Sequence, residues 1–67
     1  MLRLTKLREE RNQTRAALGA DAQVHPSHVG AIENGRLVPT PDSVILQRLA
    51  FALKWHGDPA ALLQEVE

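Results

Sequence analysis

The apolar positions fall into short sets whose spacing predicts helices throughout. Leu2, Leu4 and Leu7, with the aliphatic stems of Arg8 and Arg11, describe a first helix ending near Arg11-Asn12. Leu4 and Leu7 are its expected core contacts. Ala17, Leu18 and Ala22 recur at helical spacing in a second helix over residues 15–22, and Thr14 before it is a good N-cap. Val29 and Ile32 mark a third over residues 26–33. Pro26 suits its first turn, where an N–H would be unpaired anyway, and Asn34-Gly35 supplies a left-handed stop. Ile45, Leu46, Leu49, Ala50 and Leu53 form one stripe of a fourth helix over residues 41–54. Thr40-Pro41-Asp42 reads as its start: a capping hydroxyl, a proline at the first helical position and an acid favoured by the helix dipole. Val44, Phe51 and Trp55 lie nearby, with Phe51 and Trp55 expected in the core. Asp58-Pro59 opens a last helix carrying Leu62, Leu63 and Val66. No strand, linker, repeat or low-complexity segment is read.

The break at Gln23-Val24-His25 is too short to let the flanking helices lie antiparallel. Two short helices held at a steep angle make a helix-turn-helix, here over about residues 14–35, the unit that places a helix in the DNA major groove. Gly19 inside the second helix costs about 1 kcal/mol against alanine, so close helix approach is expected there.

The 67 residues allow one domain, residues 1–67, with one small core. Hydrophobic residues make up 43% and aromatics only 3%, so the core must come from aliphatics, which suits helix packing. Without cysteine there are no disulfides or thiolate metal sites, and stability rests on packing or association. No apolar run nears the roughly 20 residues of a membrane span, and Met1-Leu2-Arg3 leads straight into a helical pattern without a signal peptide's apolar core. A soluble cytoplasmic protein is expected. Formal net charge is zero, yet the charges are unevenly placed. Arg3, Lys6, Arg8, Arg11, Arg15 and Arg36 crowd the first half, against Glu9, Glu10, Asp21 and Glu33. After Leu37, Arg48 and Lys54 face Asp42, Asp58, Glu65 and Glu67. This asymmetry orients the molecule on a polyanion without binding it strongly.

Leu4-x-x-Leu7-Arg8, the Thr14 to Gly35 spacing, and Ser27-His28-Val29-Gly30-Ala31-Ile32-Glu33-Asn34-Gly35 together resemble the Cro/CI-type (XRE-like) helix-turn-helix family of phage and bacterial repressors. The resemblance runs from about Leu4 to Leu63. It implies an all-α, compact five-helix, lambda-repressor-like domain with the helix-turn-helix formed by helices 2 and 3. It implies a structural ion pair between Arg8 and Glu33. It places Thr14 and Arg15 on a phosphate at the start of the second helix, and Asn34 and Arg36 on the far phosphate backbone. His25, Pro26, Ser27, His28, Gly30 and Ala31 take the groove-facing, base-reading side of the third helix. The chain departs from the pattern at Gly19, where alanine is usual, and at Gln23, where the turn usually has glycine. His25 stands where a capping serine or threonine is common. The loop before the fourth helix, or that helix itself, is about two residues longer than usual. No glutamine, arginine or lysine lies on the reading face, so the bidentate pairings that read guanine or adenine most strongly are missing.

His25, His28 and His56 invite a zinc site, but with no cysteine or well-spaced carboxylate beside them no metal is expected. Ser27 and His28 are adjacent, so on a helix their side chains diverge by about 100° and catalysis is not expected. The reading is therefore a sequence-specific, double-stranded-DNA-binding transcriptional regulator, a repressor rather than an enzyme, without cofactor or evident small-molecule ligand. One small reading face implies a homodimer on an inverted-repeat operator, with half-sites about one DNA turn apart. Trp55, Leu62, Leu63 and Val66 either form the dimer surface or close the monomer's own core. The rival reading is a protein-interaction or antitoxin-like module on the same fold.

Overall fold

In the computed structural model, which describes residues 1–66, four α-helices run in the order α1 (Arg3–Glu10), α2 (Arg15–Ala22), α3 (Pro26–Glu33) and α4 (Val44–Ala52). A 3-10 turn, Pro59–Leu63, follows. Glu67, the last residue of the expected domain, lies outside the described residues. The helix-turn-helix elements match the sequence pattern, but the fifth α-helix is instead this short 3-10 turn. Its Pro59 follows Asp58, whose carboxylate caps the Ala60 N–H at 3.0 Å. At the other end Gln64 is extended, because the chain there pairs with the N-terminus: Arg3 N–H donates to Gln64 O at 2.8 Å, and Val66 N–H to Met1 O at 2.8 Å. Leu2 and Glu65 form the single antiparallel bridge among the described residues.

All four α-helices stop by the same device. A residue with positive φ turns the chain back, and the next N–H reaches five residues up the helix. Gln13 N–H donates to Arg8 O, Val24 N–H to Gly19 O, Arg36 N–H to Ala31 O and Trp55 N–H to Ala50 O, at 2.8 to 3.1 Å. The left-handed residues are Asn12 (φ 54°), Gln23 (φ 57°), Gly35 (φ 77°) and Lys54 (φ 56°). Only one of the four is glycine.

The start of α4 differs from the expected one. Ser43 N–H donates to Thr40 O at 3.0 Å, so Thr40-Pro41-Asp42-Ser43 is a turn, and α4 begins at Val44. Threonine, proline and aspartate suit the first three places of such a turn as well as they suit a helix start. At the far end α4 stops at Ala52, because Lys54 is left-handed.

The core is aliphatic. Leu4, Leu18, Val29, Ile32, Leu46, Leu49 and Leu62 are almost wholly buried, and Ala22, Val24, Ala50 and Leu53 complete it. Leu7 packs against it half-buried, while Ala17 is exposed. Phe51, expected in the core, is 87% exposed. The stripe of Leu46, Leu49, Ala50 and Leu53 fixes which face of α4 turns inward, and Phe51 lies two residues from Leu49, on the other side. Leu62 is fully buried within the monomer and is not available as a dimer surface. Leu63 packs on the core, and Val66 is held in the pairing of the two ends. Trp55 is half-buried, its indole N–H donating to Asp58 O at 3.0 Å and its ring lying under the Arg3 guanidinium at 5.2 Å.

Gly19 explains how α2 and α3 meet. A Cβ there would lie 2.5 Å from the carbonyl oxygen of Val24 and 3.3 Å from Pro26 N. The obstruction is backbone, so any side chain at this place would push α3 away from α2.

Candidate nucleic-acid interface

Val29 and Ile32 anchor α3 in the core, which leaves its N-terminal end standing out. His25, Pro26, Ser27 and His28 are all exposed there. Gly30 and Ala31 are only half-buried. The Arg15 side chain lies over Gly30, since a Cβ on that glycine would sit 3.8 Å from Arg15 Cδ and Nη1. Ala31 is overlaid by the chain returning after Gly35, whose Arg36 and Leu37 N–H groups both donate to Ala31 O.

His25 caps α3. Its Nδ1 accepts the Ser27 backbone N–H at 3.1 Å, and the Ser27 hydroxyl lies 2.7 Å from the same nitrogen. The histidine thus does the work of the serine or threonine common at this place. The rings of His25 and His28 meet edge to face, 6.2 Å apart. The serine–histidine contact is therefore to His25, not to the neighbouring His28. No group of three or more potential metal ligands gathers among the described residues, and His56 does not join the other two histidines.

At the other end of α3 sits a charged joint. Glu33, at the end of α3, has a side chain only 2% exposed. Arg8 Nε donates to its Oε2 at 2.8 Å and Arg8 Nη2 to its Oε1 at 3.2 Å, a two-pronged pair. Arg8 Nη1 also donates to Gln13 O at 2.7 Å, fastening the chain between α1 and α2. Arg15, in the first turn of α2, donates its Nε to Glu33 Oε1 at 2.9 Å. One carboxylate thus joins α1, α2 and α3. The Arg15–Glu33 bond has no sequence signal: the residues lie on different helices, with no fixed spacing between them.

Hydrogen bonding to Glu33 raises the Arg8 pKa above its ordinary value; burial opposes this, and the Glu33 and Glu9 charges add to the rise. A raised pKa adds stability that is complete below the unfolded value and lost only as pH rises through the folded one. Both lie far above neutrality, so Arg8 keeps its half of the joint intact across the working range.

The expected phosphate contacts are exposed in Thr14, Arg15, Asn34 and Arg36. Thr14 Oγ1 accepts the Ala17 N–H at 3.0 Å, capping α2. Arg15 is half-exposed, and its Nε is committed to Glu33. No helix among the described residues is long and apolar enough to cross a membrane.

Searches among curated proteins and solved structures found no significant match. A family model described as a helix-turn-helix domain matches residues 2–63, in accord with the XRE-like resemblance and with the capped, core-anchored α2–α3 unit. The chain belongs to this helix-turn-helix family.

Proposed function

We propose that this protein is a sequence-specific, double-stranded-DNA-binding transcriptional regulator, a cytoplasmic repressor that places α3 in the major groove. The observation that carries the reading is the exposed N-terminal end of α3, His25 to His28, on a helix fixed by Val29, Ile32 and the buried Glu33 joint. Thr14 and Arg15 at the head of α2, with Asn34 and Arg36 past the end of α3, grip the phosphates on either side. A homodimer assembles on an inverted-repeat operator, its association driven by the DNA. The chemistry is binding rather than catalysis: His25 Nδ1 is occupied by the cap, and no carboxylate contacts either ring nitrogen among the described residues.

Salt dependence tests it. If Arg15 and Arg36 each neutralise one phosphate per protomer, log Kd rises with log salt with a slope of about 3.6 for a dimer, and Arg15→Ala lowers that slope by about 1.8. No duplex binding at low salt, or a slope unmoved by Arg15→Ala, would sink the proposal.

A second reading, a protein-interaction module, has one specific observation in its favour. A groove of about 370 Å³ between the end of α2 and α4 is lined by Asp21, Gln23, Val44, Arg48 and Phe51, with Val44 and Phe51 both exposed. It prevails if duplex DNA is not bound.

A further inference from the structure

We infer that His25 reads guanine, through a ring proton whose position the fold dictates. This rests on the DNA-binding reading above and adds the letter that the reading end selects. His25 Nδ1 accepts the backbone N–H of Ser27, so in the capped helix that nitrogen carries no proton. In the neutral ring the proton is then on Nε2. The Ser27 hydroxyl, 2.7 Å from the same unprotonated nitrogen, donates to it and keeps its own lone pairs as acceptors. Two donors hold the Nδ1 edge of the ring against the helix end, and the His28 ring meets it edge to face. The opposite edge, carrying Nε2–H, is left as a fixed donor on the exposed end of α3.

A lone N–H donor sorts the major-groove edges. Guanine offers two adjacent acceptors, N7 and O6. Cytosine offers only its amino donor, which opposes another N–H. Adenine flanks its N7 with an amino donor, and thymine places a methyl group beside O4. Guanine alone presents acceptors on both sides of the approaching proton. The face without glutamine, arginine or lysine is thereby given one defined contact, from a side chain already immobilised by its capping role.

Two measurements test this separately from DNA binding itself. Long-range ¹H–¹⁵N spectra of the histidine rings in the free protein report the tautomer, and His25 is expected as the Nε2–H form. Selection from a random duplex pool is then run with the wild type and with His25→Ser, which retains a capping oxygen but no ring. The wild type enriches guanine at one position per half-site, and 7-deazaguanine there weakens binding about fivefold, the worth of one ordinary hydrogen bond. His25→Ser still binds duplex DNA but loses that guanine preference and ignores the 7-deaza substitution. An Nδ1–H tautomer, or a guanine preference surviving in His25→Ser, overturns the inference while DNA binding stands. A folded wild type that binds no duplex of any sequence overturns both.

Discussion

Gln23 and Lys54 hold backbone angles that an L side chain resists. At φ 57° and 56° their Cβ atoms crowd the following carbonyl, a strain glycine escapes. Among the described residues neither side chain has a hydrogen bond or ion pair that would repay the strain, and the Arg48 contact at the turn is to the Gln23 carbonyl, not its side chain. Glycine at either place should raise stability by about 0.5–1 kcal/mol after its larger unfolded-state entropy is counted. Urea unfolding checks this, and a loss at Gln23 would mean that the turn depends on its side chain. Gln23 is flagged by the family resemblance, because it stands where the turn usually has glycine, the residue that takes a left-handed conformation without strain. Lys54 is not flagged, since lysine signals no turn and the expected fourth helix includes it as its last residue. The Glu33 joint supplies a second residue-scale contrast. Arg8→Met strips a 2% exposed carboxylate of its two-pronged partner and should cost about 3 kcal/mol. Arg15→Ala leaves that pair in place and should cost under about 1 kcal/mol. Equal losses in the two variants would show that the joint does not depend on the Arg8 pair.

At the level of elements, spacing carried more information than residue type. The stripe of Ile45, Leu46, Leu49, Ala50 and Leu53 gives the buried face of α4, with Ile45 half-buried at its margin, yet Phe51, expected in the core, lies outside it. The ladder of positions already excluded it: a residue two steps from Leu49 is turned about 200° around the helix. Phe51→Ser should therefore leave stability within about 0.5 kcal/mol of wild type, whereas Leu49→Ala should cost about 2–5 kcal/mol. A Phe51→Ser variant as damaged as Leu49→Ala would return the ring to the core. Helix α2 was legible because Thr14 and its apolar spacing agree. The start of α4 was not, because threonine, proline and aspartate fit a β-turn and a first helical turn equally, and the choice lies with the distant packing of Pro39 and Leu37. In the same way His25, Pro26, Ser27 and His28 could be named from the sequence as an exposed end of α3. That Arg15 would cover Gly30, and that His25 would spend Nδ1 on the Ser27 N–H, depended on side-chain directions no spacing encodes.

Across the whole molecule, the two ends of the chain decide where association can occur. Met1 N–H and the Arg3 N–H meet the carbonyls of Val66 and Gln64, which draws the C-terminal stretch across the base of α1. The 3-10 turn just before this stretch drops Leu62 into the core shared with Leu4 and α4. A leucine with no exposed surface adds nothing to a contact between copies, so the aliphatic core closes within one protomer. Unfolding of the free protein should then have the same midpoint over a hundredfold range of concentration, since a core shared between chains would make that midpoint climb by mass action. Leu62→Ala should cost about 3 kcal/mol, a large part of the roughly 5 kcal/mol available to so small a domain, and the loss should be equal at every concentration. A midpoint that climbs with concentration, together with a Leu62→Ala penalty that fades on dilution, would place this leucine at a subunit contact. With a fixed midpoint, the dimer proposed above forms only on DNA, and binding to a two-half-site duplex should show cooperativity without any dimer in free solution.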